Sequence, residues 1–323
     1  MSETIVVCGA RGFVGQHLVG KLLQSERDVR CGSRSPDQAA KQWPDRTWVA
    51  LDVENARSLE AAFSGASVVV YLVHQMRTES PDLEALEVAS AQRVQEAAAQ
   101  AGVRRIVYLG GPAPQGPVIS AHLRARLATG EALRSGSVST VELRAPMIVG
   151  DGSESWLIVR DLAMRLPLMV LPSWLKSQSQ PIAIDDVVAA IEAACDLELE
   201  GSTWFDLPGP EVLSAREILI RVASARGLSP WMLPVPFLTP SLSSHWIRWV
   251  TRADYKVARK LVDGLTDDLV ATGPEFWERL PHLDRTPFDI AVKRALASED
   301  PSDMAWRGWW LERSVQAVAG KST

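Results

Sequence analysis

Near its start the chain reads Gly9-Ala10-Arg11-Gly12-Phe13-Val14-Gly15, glycines at G-x-x-G-x-x-G spacing directly after the β-prone run Thr4-Ile5-Val6-Val7-Cys8. In a strand–turn–helix unit such glycines let the backbone approach a pyrophosphate, and the N–H groups at the helix N-terminus hold its charge. From Phe13 the apolar residues Leu18, Val19, Leu22 and Leu23 follow at helical spacing and supply that helix. A second signal stands at the end of the next strand, residues 29–33. An acid there takes both ribose hydroxyls of NAD. This chain has Cys31-Gly32-Ser33-Arg34 instead, and Asp28 falls before the strand, at the wrong edge of a sheet. Arg34, Ser33 and Arg11 in the facing turn are donors suited to a 2′-phosphate, since a guanidinium fork matches phosphate oxygens. NADP(H) is the expected cofactor, preferred over NAD(H).

The elements that must carry these residues follow from the hydrophobic pattern. Strands are expected at 4–8, 29–33, 48–53, 67–73, 105–109 and 140–143. Helices are expected from residue 13 and at 58–63, 83–100 and 121–134, with Gly102 stopping the third. The continuous apolar run 67–73 suits a central strand covered on both faces. The fold class is α/β, a doubly wound parallel sheet (Rossmann fold) that binds ligands at the carboxyl ends of its strands. After Gly150 the rhythm breaks into a helix at 156–165, a Pro-containing stretch at 166–172 and a helix opening at 181–186, where an Asp is suited to cap it. A further strand follows at 203–207, and Ser214 with Glu217 forms a capping box for a helix to 226. The expected domains are a Rossmann domain at 1–150 with 178–208 returning to it and a smaller, mainly helical substrate lobe at 151–177 and 209–272. A Trp-rich helical tail covers 273–323.

Taken together, the glycine turn, Leu51-Asp52-Val53, Tyr71-Leu72-Val73-His74, Arg105-Ile106-Val107-Tyr108-Leu109-Gly110-Gly111 and Leu143-Arg144-Ala145-Pro146 resemble the extended and atypical short-chain dehydrogenase/reductases. The segments 181–186 and 207–211 fit the same pattern, and the resemblance includes the NmrA-like and sugar-epimerase-like branches. It implies that Asp52 contacts the adenine amino group, helix capping being its competing role. It also implies that Val53, Leu72, Val73, Gly110, Gly111, Arg126 and Pro146 line the cofactor.

The same resemblance exposes a departure. Enzymes of this family use a Tyr as proton donor, a Lys four residues on that lowers its pKa, and a Ser that orients the substrate. Gly110 and Gly111 stand where the Ser belongs, and His122-Leu123-Arg124-Ala125-Arg126 where Tyr-x-x-x-Lys belongs. His122 and Arg126 share one helix face at this spacing. Three readings stay open. His122 is a substitute proton donor, since imidazole titrates near neutral pH and Arg126 favours its neutral form. Alternatively, Arg126 alone binds a nicotinamide ribose or a substrate carboxylate. In the third, both are structural, His122 capping its helix and Arg126 solvated. His74 and Met76, just beyond 67–73, are further candidates for the pocket, His74 also for catalysis.

The chain holds twelve Trp, concentrated in its second half. Stripes such as Trp246 with Trp249 and Trp306 with Trp310 read first as core or as an oligomer contact. The sharper reading is an apolar substrate pocket roofed by Trp156, Met169, Trp174 and Trp246, and so a small, hydrophobic substrate. A net charge of −5 without a basic block argues against nucleic acid. No apolar run reaches a membrane span, no metal-ligand spacing occurs, and three scattered cysteines fit a reduced, cytoplasmic setting. The expected function is an NADP(H)-dependent oxidoreductase that passes a hydride to a carbonyl, enone or imine without the Ser-Tyr-Lys triad. The alternative is a non-catalytic NADP(H)-binding sensor, or an accessory subunit like the one of this fold in respiratory complex I.

Overall fold

The computed structural model describes residues 3–25, 27–74, 82–115, 120–165, 168–171, 177–229, 231–234 and 268–299. Those that fall within 1–146, 184–208 and 271–285 form one compact unit, and those within 147–183, 209–270 and 286–323 another. Residues 271–285 belong with the sheet-bearing unit. Their anchor is Asp206, whose carboxylate accepts the backbone N–H groups of Thr272 and Gly273, both at 2.9 Å.

The first unit is built on a seven-stranded parallel sheet. Its strands are β1 (Thr4–Cys8), β2 (Asp28–Ser33), β3 (Thr47–Ala50), β4 (Val68–Tyr71), β5 (Arg105–Gly110), β6 (Thr140–Arg144) and, later in the chain, Thr203–Asp206. From one edge the order is β3-β2-β1-β4-β5-β6 followed by the Thr203–Asp206 strand, so the direction of winding reverses between β1 and β4. That is the doubly wound Rossmann order. Every residue of β4 is buried, as its unbroken apolar run requires. Helices α1 (Phe13–Leu22), α2 (Pro36–Gln42), α3 (Ala56–Phe63), α4 (Leu83–Gln100) and α5 (Ala121–Arg134) make the crossovers. The boundaries of α4 and α5 match the sequence pattern, whereas α2 lacks an apolar stripe and was not expected. β3 stops at Ala50 rather than continuing to Val53, because Asp52 Oδ1 turns the chain by accepting the Glu54 N–H at 3.1 Å. Asn55, not Asp52, caps α3.

The second unit carries a core of its own around Trp156, Phe288, Val292 and Val222. Its elements in chain order are β7 (Ile148–Val149), α6 (Glu154–Arg165), β8 (Leu168–Leu171), β9 (Gln178–Ser179) and β10 (Ile182–Ala183). The helix Ile184–Asp196 (α7) and the seventh sheet strand Thr203–Asp206 (β11) then return to the first unit. The second unit resumes with β12 (Leu213–Ser214), α8 (Ala215–Ser224), β13 (Trp231–Pro234) and α9 (Phe288–Ala297). Three two-stranded sheets, β7 with β10, β9 with β12 and β8 with β13, were not foreseen; strands this short leave no period-two pattern to read. Ser214 and Glu217 form both bonds of the expected capping box on α8. Asp185 and Asp186 sit inside the first turn of α7, where carboxylates complement the helix dipole.

Candidate active site

The carboxyl ends of β1, β2, β4, β5 and β6 gather the glycine turn, Ser33 with Arg34, Leu72 with Val73, Gly110 with Gly111, and Pro146. Gly9 has a φ of +88°, a left-handed conformation that L side chains rarely adopt, and a Cβ there would press against the Leu72 backbone at 3.1 Å. A Cβ on Gly15 would overlap the Gly9 carbonyl oxygen, so only glycine lets α1 sit this close to the turn. Gly12, the α1 N-cap, brings no side-chain cap, and no acid stands in the first turn. The first N–H groups of a helix lack intrahelical partners and carry a positive field. A close-packed, acid-free helix start beside the β1–β4 switch point fits the pyrophosphate of a dinucleotide.

At the end of β2, Ser33 is buried and its Oγ accepts the Ser35 N–H at 3.1 Å. Arg34 and Arg11 are exposed, and neither forms an ion pair with another described residue. Asp52 is half-buried at the close of the turn described above, with Val53 buried beside it.

The feature with the most chemistry lies past β4. His74 follows β4 by three residues, and His122 lies in the first turn of α5. His74 Nε2 is 2.8 Å from His122 Nδ1, with ring centroids 4.6 Å apart. The other nitrogen of His74, Nδ1, is 2.5 Å from Glu87 Oε1 on α4, a carboxylate residue only 4% exposed. Thr129 Oγ1, which donates to the Ala125 carbonyl at 2.8 Å, lies 3.4 Å from Glu87 Oε2. Four polar side chains, His74 from the segment after β4, Glu87 from α4 and His122 and Thr129 from α5, thus form one continuous line of bonds inside the first unit.

Two of the expectations for α5 need correction. His122 does not cap its helix; Ser120 does, its Oγ accepting the Leu123 N–H at 3.3 Å. Nor is Arg126 a merely solvated residue. It donates to the Leu109 carbonyl at the end of β5, and its guanidinium carbon stands 5.9 Å from the Tyr108 ring centre. A Cβ on Gly111 would come within 3.2 Å of Arg126 Nε, so Arg126 lies directly against Gly111. The Tyr108 hydroxyl donates to the Arg126 carbonyl at 3.1 Å. Burial pushes the Tyr108 phenol up to about 12, against the lowering influence of Arg126, and Tyr71 rises well above the ordinary phenol range for the same reason. Both phenols therefore stay protonated at physiological pH, and the Tyr108 hydroxyl is committed to the Arg126 carbonyl.

Among the expected pocket residues, Trp156 is fully buried in the core of the second unit, so in this conformation it is a packing residue and exposes no face to a ligand. Met169 lies on β8, paired with Met232 of β13. Met76, Trp174 and Trp246, with Trp249, Trp306 and Trp310, lie outside the described residues. Glu87 was missed. Its signal was present in the sequence: an acid in the buried stripe of α4, among Leu83, Ala91 and Val94. No group of three or more possible metal ligands occurs among the described residues, and none of their helices is long and apolar enough to cross a membrane.

Residues 9–142 match the NAD(P)H-binding family model. The chain is 27% identical over 234 residues to a ceramide reductase of Caulobacter vibrioides, spanning 68% of this chain and 73% of that protein. Among solved structures, the triphenylmethane reductase of Citrobacter sp. in complex with NADP(H) superposes with a TM-score of 0.70 at 18% identity, covering 90% of this chain and 99% of the other. MoeE5 in complex with UDP-glucuronic acid and NAD superposes with a TM-score of 0.66 at 19% identity, covering 97% and 100%. At such identities these two likenesses establish the shared fold.

Proposed function

We propose that this chain, whose residues 9–142 match the NAD(P)H-binding family model, is an NADP(H)-dependent oxidoreductase that reduces a carbonyl, enone or imine of a small apolar substrate. The observation that carries the reading is the His74–His122 contact at 2.8 Å, beyond the carboxyl end of β4 and at the start of α5. This is where a reductase of this fold needs a proton donor and where this chain has no Tyr. When bound, the nicotinamide supplies the hydride. His122 supplies the proton to the substrate heteroatom, or to the α-carbon of an enone, as the electron pair of the reduced double bond localises there. His74 holds the His122 ring in orientation through Nδ1. Arg126, one turn along α5, binds the nicotinamide ribose or a polar group of the substrate.

Preference for NADP(H) rests on Arg34 and Arg11, exposed and without an acid to pair with among the described residues, and on the Ser33 hydroxyl hydrogen. The apolar character of the substrate is supported by the name of one relative, a ceramide reductase.

The second reading, a non-catalytic NADP(H)-binding protein, is favoured by one observation: Arg126 is bonded to the Leu109 carbonyl and lies against Gly111, a fixed cation that supplies no acid. One experiment separates the two. Purified protein is titrated with NADPH and NADH by fluorescence, then NADPH oxidation is followed with a panel of long-chain and aromatic ketones, enones and imines. Turnover that is lost in His122→Phe supports the oxidoreductase. Tight NADPH binding with no turnover across the panel supports the sensor.

A further inference from the structure

We infer that Glu87 makes the His74–His122 pair a proton store, holding one extra proton on the two rings that leaves from His122 Nε2. This rests on the reading of His122 as the proton donor and deepens it with a residue from α4 that no motif singles out.

Glu87 sits on the buried face of α4, and a carboxylate taken from water costs several kcal/mol unless it is paired and hydrogen-bonded. Its oxygen Oε1 is 2.5 Å from His74 Nδ1, so that nitrogen carries a hydrogen and donates it. The hydrogen between His74 Nε2 and His122 Nδ1 can then be arranged in two ways. With both rings neutral, His122 Nδ1–H donates to His74 Nε2, and the trio bears the single negative charge of Glu87. With one more proton, His74 Nε2–H donates to His122 Nδ1, His122 carries its hydrogen on Nε2, and the trio is neutral overall. A site of low dielectric favours the neutral trio.

Among the described residues, the other titratable groups near the trio are themselves neutral or paired. Tyr71 on β4 and Tyr108 on β5 are kept protonated by burial. Glu142 on β6 is matched by Arg134 at 2.8 Å and Arg144 at 3.0 Å. Glu84 on α4 pairs with Arg124 of α5 at 3.0 Å toward solvent. Arg126 and Thr129 complete the α5 face, the guanidinium bonded to the Leu109 carbonyl. Among the described residues, Glu87 is the anion bonded to the rings and therefore the group that holds the extra proton on them.

Proton delivery then balances. The His122 Nε2–H bond breaks toward the substrate atom that holds the electron pair, a new His122 Nδ1–H bond forms, and the His74 Nε2–H bond breaks. His74 keeps its Nδ1–H toward Glu87. Both rings end neutral, and solvent restores one proton for the next turnover. Glu87 touches no reacting atom; it is a positioning residue.

The test uses the full chain with ¹⁵N-labelled histidine, following ring titration by NMR alongside the pH profile of NADPH oxidation. Exposed His17 and His282 serve as internal references. Glu87→Gln is expected to move the midpoint of the His74–His122 titration down by about one pH unit or more, the scale for loss of a neighbouring opposite charge. The pH above which turnover falls should move down with it, and Glu87→Asp should largely restore both. Unchanged His74 and His122 midpoints in Glu87→Gln, with the variant folded, overturn the inference. Should that variant fail to fold, the wild-type protein decides. Coupled titration of the two rings in two macroscopic steps supports the store, and independent titration overturns it. A shifted midpoint in a protein that turns over no substrate leaves the proton store standing and removes the reductase reading.

Discussion

His74 Nε2 and His122 Nδ1 lie 2.8 Å apart although 48 residues separate them in sequence. One hydrogen is shared between the rings, so the tautomer of His122 is fixed by that of His74. A ring so constrained can present a defined proton or a defined lone pair at Nε2. If His122 is the donor, His122→Phe lowers turnover by about 10²-fold or more, the scale of a lost general acid. NADPH affinity, measured by fluorescence titration, stays unchanged. Full turnover in the Phe variant ends the donor role and leaves Arg126, His74 or bulk water as the remaining options.

Arg34 carries the second prediction. Its guanidinium is exposed at the end of β2, where an acid would select NAD. A charge-assisted contact is worth about 1.5–3 kcal/mol, or roughly ten- to hundred-fold in affinity. Arg34→Ala should weaken NADPH by that factor and leave NADH nearly untouched. An Ala variant that keeps its preference for NADPH would show the selectivity to lie elsewhere.

Arg126 should act on binding rather than on proton transfer. It holds the Leu109 carbonyl at the end of β5 and stands over the Tyr108 ring. Arg126→Ala is expected to raise the KM for substrate or the Kd for NADPH about tenfold or more, while the pH profile keeps the shape of the wild type. Arg126→Lys should recover less than a charge count suggests, because an ammonium cannot reproduce the planar fork. A variant with altered pH dependence and intact affinities would transfer Arg126 to the acid–base machinery.

The Rossmann sheet was legible because each of its signals is local. An apolar run, a glycine turn and a helical stripe follow one another within a few residues, and Gly102 stops α4 with a φ of +71° where the pattern ends. The end of β3 was misjudged because a side-chain bond from Asp52, not hydrophobicity, stops it. The candidate site was legible only in pieces. Residues 74 and 122 each stood out by type, but their contact depends on how the end of β4 meets α5, which no spacing encodes. Glu87 was readable as an anomaly, an acid within a buried stripe, and its meaning comes only from the imidazole packed on it. Trp156 was open to both readings, since a large aromatic can line a pocket or fill a core, and its complete burial in the second unit favours the core.

The last prediction concerns the second unit, where Arg221 of α8 ties three pieces of chain together. Its guanidinium bonds Glu211 ahead of β12, and its Nε donates to Asp289 of α9 at 2.8 Å. Glu211 also accepts the Phe288 N–H at 2.9 Å, so one carboxylate holds the start of α9 as well. The Arg221 hydrogen bonds draw the Glu211 and Asp289 carboxyls below their ordinary values of 4.5 and 3.8. A carboxyl whose folded-state pKa is depressed stabilises the fold fully above its ordinary value, and that stabilisation fades as pH falls through the folded value. The charges are partly exposed, so the whole cluster is worth only about 1 kcal/mol at neutral pH. Arg221→Met should therefore lower the Tm by a few degrees at pH 7. The gap to wild type should close as pH falls below the ordinary carboxyl values, because acid protonates Glu211 and Asp289 and removes the charges that Arg221 serves. Raised salt should narrow the gap at pH 7 in the same direction. Paired thermal melts across pH 2–7 check it, and a gap that persists undiminished at the acid end would assign Arg221 a packing role over the Phe288 ring, 5.1 Å from its guanidinium carbon.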